Sequence, residues 1–467
     1  MNEKNEPNKV PEQLEFVVDS TEPSEGKQAE TKPASVPQEE EVRKAVGDVD
    51  SKRNLESLAS TDLEAEKVGK IVENRQSQSS QRKSQSKSPR ANTKPEDLHP
   101  GELDFELKLR FKKILWAMGH YARIDVKVAS YGEYLEMGRR DGIAELTDID
   151  VWGLNFHDDF QVNNIVVDCK NGEKVSPAGR IFWIKGLMEY VGNARGYMVM
   201  GKKVIPTHLR ETANRFNISL MDGKNLIVLE RMYDIDRFKD LEVFSGNYIS
   251  QSDKISDKSI KELLDYRKYN YWIDEDHTKL HNVIGILSSH ASKLSGQNKN
   301  HQVVVLDLIG LFTIALFKLC NFIVRTTVSD IKMGTLLFLY NGAYNLDKYV
   351  TVTELFEKIL KNAASNYGDI QKFLDYKPVF FDDLVELCIT IIRRPNESKD
   401  ILRYIDAAIY CNLYPTKLQK KSLKEVFGAQ YNEITAKLMF DIVDFINKNT
   451  KIDKRLIPKS VILGNQG

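Results

Sequence analysis

The sequence predicts an α/β core on a mixed sheet, then an all-α region, with a disordered N-terminal arm in front. Three observations predict this. Between about 100 and 234, strand-like and helix-like patterns alternate, as in a sheet with helices packed on it. From about Tyr233, strand signals nearly vanish and helical periodicity runs on to Asn447. Before 100, Phe16 is the only aromatic residue, and Gln76–Lys94 (QSQSSQRKSQSKSPRANTK) is rich in Ser, Gln, Lys and Arg without apolar periodicity. Such a segment cannot bury enough surface to offset its ordering entropy. The expected division is a low-complexity arm at 1–99, an α/β domain at 100–234 and a helical domain at 255–449, in keeping with 467 residues.

Taken in order, Leu55–Val72 reads as a transient helix within the arm. Asp104–Tyr121 carries Phe105, Leu107, Leu109, Phe111, Ile114, Leu115 and Met118, a helix-like pattern ending at Gly119. Arg123–Val128 (RIDVKV) alternates like a strand. Leu146–Asn155 (LTDIDVWGLN) and Asn164–Lys170 (NIVVDCK) are strand-like runs joined by the polar connection Phe156–Asn163 (FHDDFQVN), and they can pair as a hairpin. Ser176-Pro177 opens a helix to about Val191, with proline where a first turn tolerates it. Arg180 and Lys185 lie on that helix and can face phosphate or solvent, solvent being the default for an isolated helical cation. In the helical region, Val303–Val324 is the most apolar segment. Asp307 and Lys318 interrupt it, and Leu308–Phe317 between them is half the length of a membrane span, so a buried bundle helix is expected and no membrane.

The chemistry concentrates on Asp150, Asp168 and Lys170. Alternate side chains of a strand share a face, so Asp168 and Lys170 point one way and Cys169 the other. Hairpin pairing brings Asp150 alongside. Two carboxylates beside one ammonium form a small site for a hard cation such as Mg²⁺ or Mn²⁺, which takes oxygen ligands and keeps waters. That set suits phosphodiester hydrolysis, with lysine holding the nucleophile or offsetting developing charge. The bland alternative is a charged, solvated hairpin.

These residues carry a resemblance. IDVWG followed by VVDCK resembles the core of the PD-(D/E)xK nucleases. Arg195–Gly201 (RGYMVMG) resembles their next core strand. Pro206–Phe216 (PTHLRETANRF) and Asn217–Leu226 (NISLMDGKNL) are similar to the end of Mrr-type restriction endonuclease domains, where a short helix leads into a strand ending in an Asp-Gly turn. The resemblance covers about Glu102 to Tyr233. It implies a restriction-endonuclease-like fold, Asp150 and Asp168 as metal ligands with the Cys169 main-chain carbonyl as a third, and Lys170 positioning the attacking water. It also implies a glutamate on the first helix, for which Glu106 is the first candidate and Glu102 the second. Thr147-Asp148-Ile149 stands where the family usually has proline or another turn former. Asp148 shares a strand face with Asp150; Asp150 is preferred because Val151-Trp152-Gly153-Leu154 follows it directly.

The remaining signals exclude more than they assign. With 67 Lys+Arg against 67 Asp+Glu the chain is neutral, which argues against a wholly basic nucleic-acid coat but not against a local basic cleft. Cys169, Cys320, Cys388 and Cys411 form no CxxC pair, which fits a reducing cytoplasm, and MNEKNEPNKVPEQLEF has no apolar h-region of a secretory signal. Gly196–Lys203 (GYMVMGKK) departs from a P-loop: Lys203 replaces its Ser or Thr, and an apolar run fills the loop. His277 and His281 have zinc-enzyme spacing, but Thr278 replaces the catalytic glutamate of HExxH. Lys417, Lys420, Lys421 and Lys424 form a helical stripe that reads first as a solvated face. The sequence thus leads to the expectation of a cytoplasmic, Mg²⁺- or Mn²⁺-dependent endonuclease acting on DNA. Its helical domain would serve recognition or assembly, as a homodimer or with a protein partner. The alternative is an inactive nucleic-acid-binding or scaffold protein on the same fold.

Overall fold

A computed structural model describes residues 100–131, 143–172, 175–192, 194–238, 255–363, 376–412 and 422–457. The arm at 1–99, the Leu55–Val72 helix and Lys417, Lys420 and Lys421 lie outside the described residues; Lys424 is exposed. Helix α1 (Pro100–Ala117) stops short of the expected end because Gly119 takes φ 88°, a left-handed turn natural to glycine, and Tyr121 already opens a strand. Strands β1 (Tyr121–Tyr131), β2 (Ile143–Phe156) and β3 (Val162–Lys170) follow as an antiparallel meander. Helix α2 (Pro177–Val191) starts where Ser176 accepts a hydrogen bond from the Gly179 N–H. It crosses back so that β4 (Ala194–Met200) pairs parallel to β3, and α3 (Thr207–Arg215) returns the chain to β5 (Ile218–Asp222), parallel to β4. The result is a five-stranded mixed sheet in the order β1-β2-β3-β4-β5. The expected Asp-Gly turn after β5 is instead a helix start. Asp222 and Asn225 form a reciprocal cap that launches α4 (Gly223–Met232).

Helices cover both sheet faces. Ile165, Val167 and Cys169 of β3 pack with Leu107, Phe111, Ile114 and Leu115 of α1. Val166 packs with Ile181, Ile184, Leu187 and Met188 of α2. Beyond the sheet the chain is helical: α5 (Asp276–His290), α6 (Lys299–Thr326), α7 (Ile331–Leu339), α8 (Ala343–Ala363), α9 (Phe381–Ile392), α10 (Ile401–Asn412) and α11 (Glu433–Thr450), with short helical turns between. Among the described residues α6 alone is long and apolar enough to cross a membrane, and 89% of its most apolar stretch is buried in the protein.

The stretches expected as two domains keep their α/β and helical characters and share one core. Leu109, Trp116, Tyr121, Leu154, Phe156 and Phe160 belong to the same apolar cluster as α6, α10 and α11. Phe317 of α6 meets both Phe156 and Phe160, with centroids 4.9 and 5.6 Å apart. Ion pairs cross the same seam. Arg123 of β1 forks onto Asp307 of α6 at 2.6 and 3.1 Å, and Lys112 of α1 lies 3.4 Å from Asp406 of α10.

His120, in the α1–β1 turn, supplies a pH dependence. Burial, with Arg403 nearby, holds its imidazole down to about 4 from the ordinary 6.5. A base with a depressed folded pKa adds no penalty above the unfolded pKa, and stability falls as pH drops from about 6.5 to about 4. His120→Gln is therefore expected to lose less stability between pH 7 and 4.5 than the parent, by on the order of 2 kcal/mol. Urea unfolding at the two pH values checks this; equal losses in both proteins would count against it.

Candidate metal and phosphodiester site

The Lys170 ammonium brings the two carboxylates together. β2 and β3 pair Val151 with Val167 and Trp152 with Val166, and Asp150 and Asp168 lie one residue beyond the end of that ladder. The main-chain N–H of Cys169 donates to Asp150 Oδ2 at 2.8 Å, tying the two strands there. Lys170 Nζ lies 3.0 Å from Asp150 Oδ2 and 3.4 Å from Asp168 Oδ1. Asp150 and Asp168 are buried, whereas Lys170 is about a quarter exposed and marks the way in from solvent. The Cys169 thiol turns to the opposite face, into the core under α1, as alternation requires.

Two further cations, neither assigned to the site by the sequence, complete the set. Lys108 of α1 bridges Asp125 of β1 at 2.5 Å and Asp150 Oδ1 at 2.8 Å. Arg180 of α2, expected in solvent by default, forks onto Asp168: its Nε donates to Oδ2 at 2.9 Å and a terminal nitrogen donates to Oδ1. Lys185, from the same helix, does point outward and pairs with Glu189. Asp125, Asp148 and Asp150 have carboxylate atoms within 4.8 Å of one another, and Lys108 is the cation beside that cluster. Of the two aspartates left open on β2, Asp150 makes the contacts with Lys170 and the Cys169 N–H; Asp148 lies opposite Lys127.

Glu106 is placed differently from expectation. It is exposed, and its charge acts on Arg110 and Lys113. It stands two positions from Lys108, roughly 200° round the helix. What α1 sends to the site is Asp104 and Lys108, one turn apart: Asp104 accepts from the Asn171 N–H at 2.7 Å, just past Lys170. The side chain of Glu102 lies outside the described residues. The weighed-down signals stay separate. Tyr197, Met198, Val199 and Met200 of the P-loop-like run are buried in β4, and His281 packs on Phe380 while His277 pairs with Glu275.

The electrostatics divide the carboxylates. Burial pushes the Asp150 carboxyl upward, but Lys108, Lys170 and the Cys169 N–H outweigh it and hold the group below its ordinary range. For Asp168 burial wins over Arg180 and Lys170, and the carboxyl rises. Burial works against the Lys170 charge, yet Asp150 and Asp168 raise it, so the side chain stays an ammonium and acts as a donor rather than a base. Two buried carboxylates from adjacent strands are hard oxygen donors of the kind Mg²⁺ or Mn²⁺ takes, and in this structure their oxygens are engaged by Lys108, Lys170, Arg180 and the Cys169 N–H. Comparison of the chain with family models, curated proteins and solved structures returns no match.

Proposed function

We propose that the protein is a cytoplasmic, divalent-metal-dependent nuclease that hydrolyses phosphodiester bonds of DNA, with the helical region serving recognition or assembly. One observation carries the reading: Asp150 and Asp168 lie on adjacent strands with the Lys170 ammonium within 3.4 Å of both. DNA is the substrate that the likeness of IDVWG, VVDCK and the stretch after them to Mrr-type domains implies. Asp150 and Asp168 would hold Mg²⁺ or Mn²⁺, with the Cys169 carbonyl as a third protein ligand. When bound, the ion polarises the phosphate and acidifies a water. Lys170 keeps its proton, orients the attacking oxygen and offsets charge on the phosphorane.

A second reading, a binding or scaffold protein on the same fold, is favoured by the ion pairs of Lys108 and Arg180, which balance the carboxylates within the chain. Assays on plasmid, linear and single-stranded DNA and on RNA, with Mg²⁺ or EDTA, separate the two. Within an active protein, Lys170→Ala is expected to bind DNA nearly as the parent does and to cut it at least about a hundredfold more slowly, because the lost interaction strengthens in the transition state. A rate within a few-fold of the parent would remove Lys170 from the mechanism.

A further inference from the structure

Resting on that reading, we propose that Arg180 is a latch on the metal site: it holds Asp168 until a divalent cation displaces it, and its guanidinium then clamps a phosphate of the substrate. Asp168 is fully buried, and both of its oxygens accept from the Arg180 fork. A hard cation uses the same lone pairs, and a guanidinium left in place would set like charges side by side. Lys108, Lys170 and Arg180 engage the carboxylates of Asp125, Asp150 and Asp168. A divalent ion on Asp168 therefore competes directly with Arg180, which occupies both of its oxygens.

Arg180 is the one built to leave. Lys108 is held at 2.5 and 2.8 Å between two carboxylates and is 13% exposed. Lys170 is shared between two carboxylates, Asp150 at 3.0 Å and Asp168 at 3.4 Å. Arg180 holds one carboxylate, Asp168, from the first turn of α2, with its guanidinium carbon 3.6 Å from the centre of the Trp183 ring. That indole is a second resting surface: the cation can leave Asp168 and keep its aromatic contact. The fork that grips a carboxylate also matches a phosphate, which a lysine ammonium does not do bidentately.

The test titrates Mn²⁺ calorimetrically into the full-length protein without nucleic acid. Arg180→Gln is expected to bind Mn²⁺ at least about tenfold more tightly than the parent, since a positive charge beside the ion is gone. Asp168→Asn is expected to show no binding. Arg180→Lys, which keeps the charge and loses the fork, is expected to gain a smaller factor, and it serves as the test if the Gln variant fails to fold. Anisotropy of a labelled short DNA duplex with Ca²⁺ reads the second half: Arg180→Gln is expected to weaken binding at least about fivefold. Unchanged or weaker Mn²⁺ binding in Arg180→Gln overturns the latch, even if the parent cuts DNA. Tighter Mn²⁺ binding with undiminished DNA binding overturns the phosphate clamp. Tighter Mn²⁺ binding in a protein that cuts no nucleic acid upholds the latch and rejects the nuclease reading.

Discussion

Asp150→Asn and Asp168→Asn are each expected to abolish Mg²⁺-dependent cleavage of DNA while leaving the fold in place. The amide matches the carboxylate in shape but lacks the charge a hard cation needs, and the two side chains are buried donors on β2 and β3. The substitutions should differ in stability. The folded state favours charged Asp150, which Lys108 and Lys170 hold below its usual pKa, so that charge stabilises the fold above the unfolded pKa and its support is lost as pH falls through the folded value. Burial disfavours charged Asp168 and outweighs the pull of Arg180 and Lys170. Asp150→Asn should therefore be the more destabilising change at neutral pH. Asp148→Asn, outside the Lys170 contacts, is the control and should lower the rate far less. Cleavage at the parent rate in either of the first two variants would sink the metal assignment.

The fragment Pro100–Asp234, which on a two-domain reading would keep weak, unselective cleavage, is expected not to fold alone. Removing the helical region bares Leu109, Trp116, Tyr121, Leu154, Phe156 and Phe160. At about 1.5–3 kcal/mol for each of these six buried side chains, the loss is roughly 9–18 kcal/mol, as large as the whole stability of an ordinary domain. Circular dichroism and size exclusion of the purified fragment check this. A fragment with a cooperative melt and the parent's helix content would show that the seam is dispensable.

Much of the core was legible because its signals are local. The Ser176-Pro177 start, the alternation in VVDCK and the polar link between two apolar runs each depend on neighbouring residues, and they gave α2, the Asp168/Lys170 face and the β2–β3 hairpin. Lys108 and Asp125 were not legible, since they join Asp150 through a break in the pleat. Ile124 and Val151 pack under α1, while Val126 and Ile149 pack under α2, so both strands change faces at Asp125 and Asp150. Asp125 takes φ 55° there, a left-handed conformation that aspartate tolerates better than most residues. Strict period-two reading passes over such a break. Arg180 looked like any helical cation because its partner is twelve residues back on another element. Residue type alone points to Glu106, and the phase of α1 sends it outward. The shared core was hidden because apolar periodicity records that a face is buried, not what covers it.

The placement of α6 bears on how the chain is made. Its neighbours are α5 before it in sequence and α7, α9, α10 and α11 after it. During synthesis α6, the one described helix long and apolar enough to cross a membrane, leaves the ribosome long before α11, which closes at Thr450. Chain elongation at about 5–20 residues per second leaves that surface uncovered for several seconds. Over that interval the nascent chain depends on early collapse around α6 or on a chaperone to keep it from self-association.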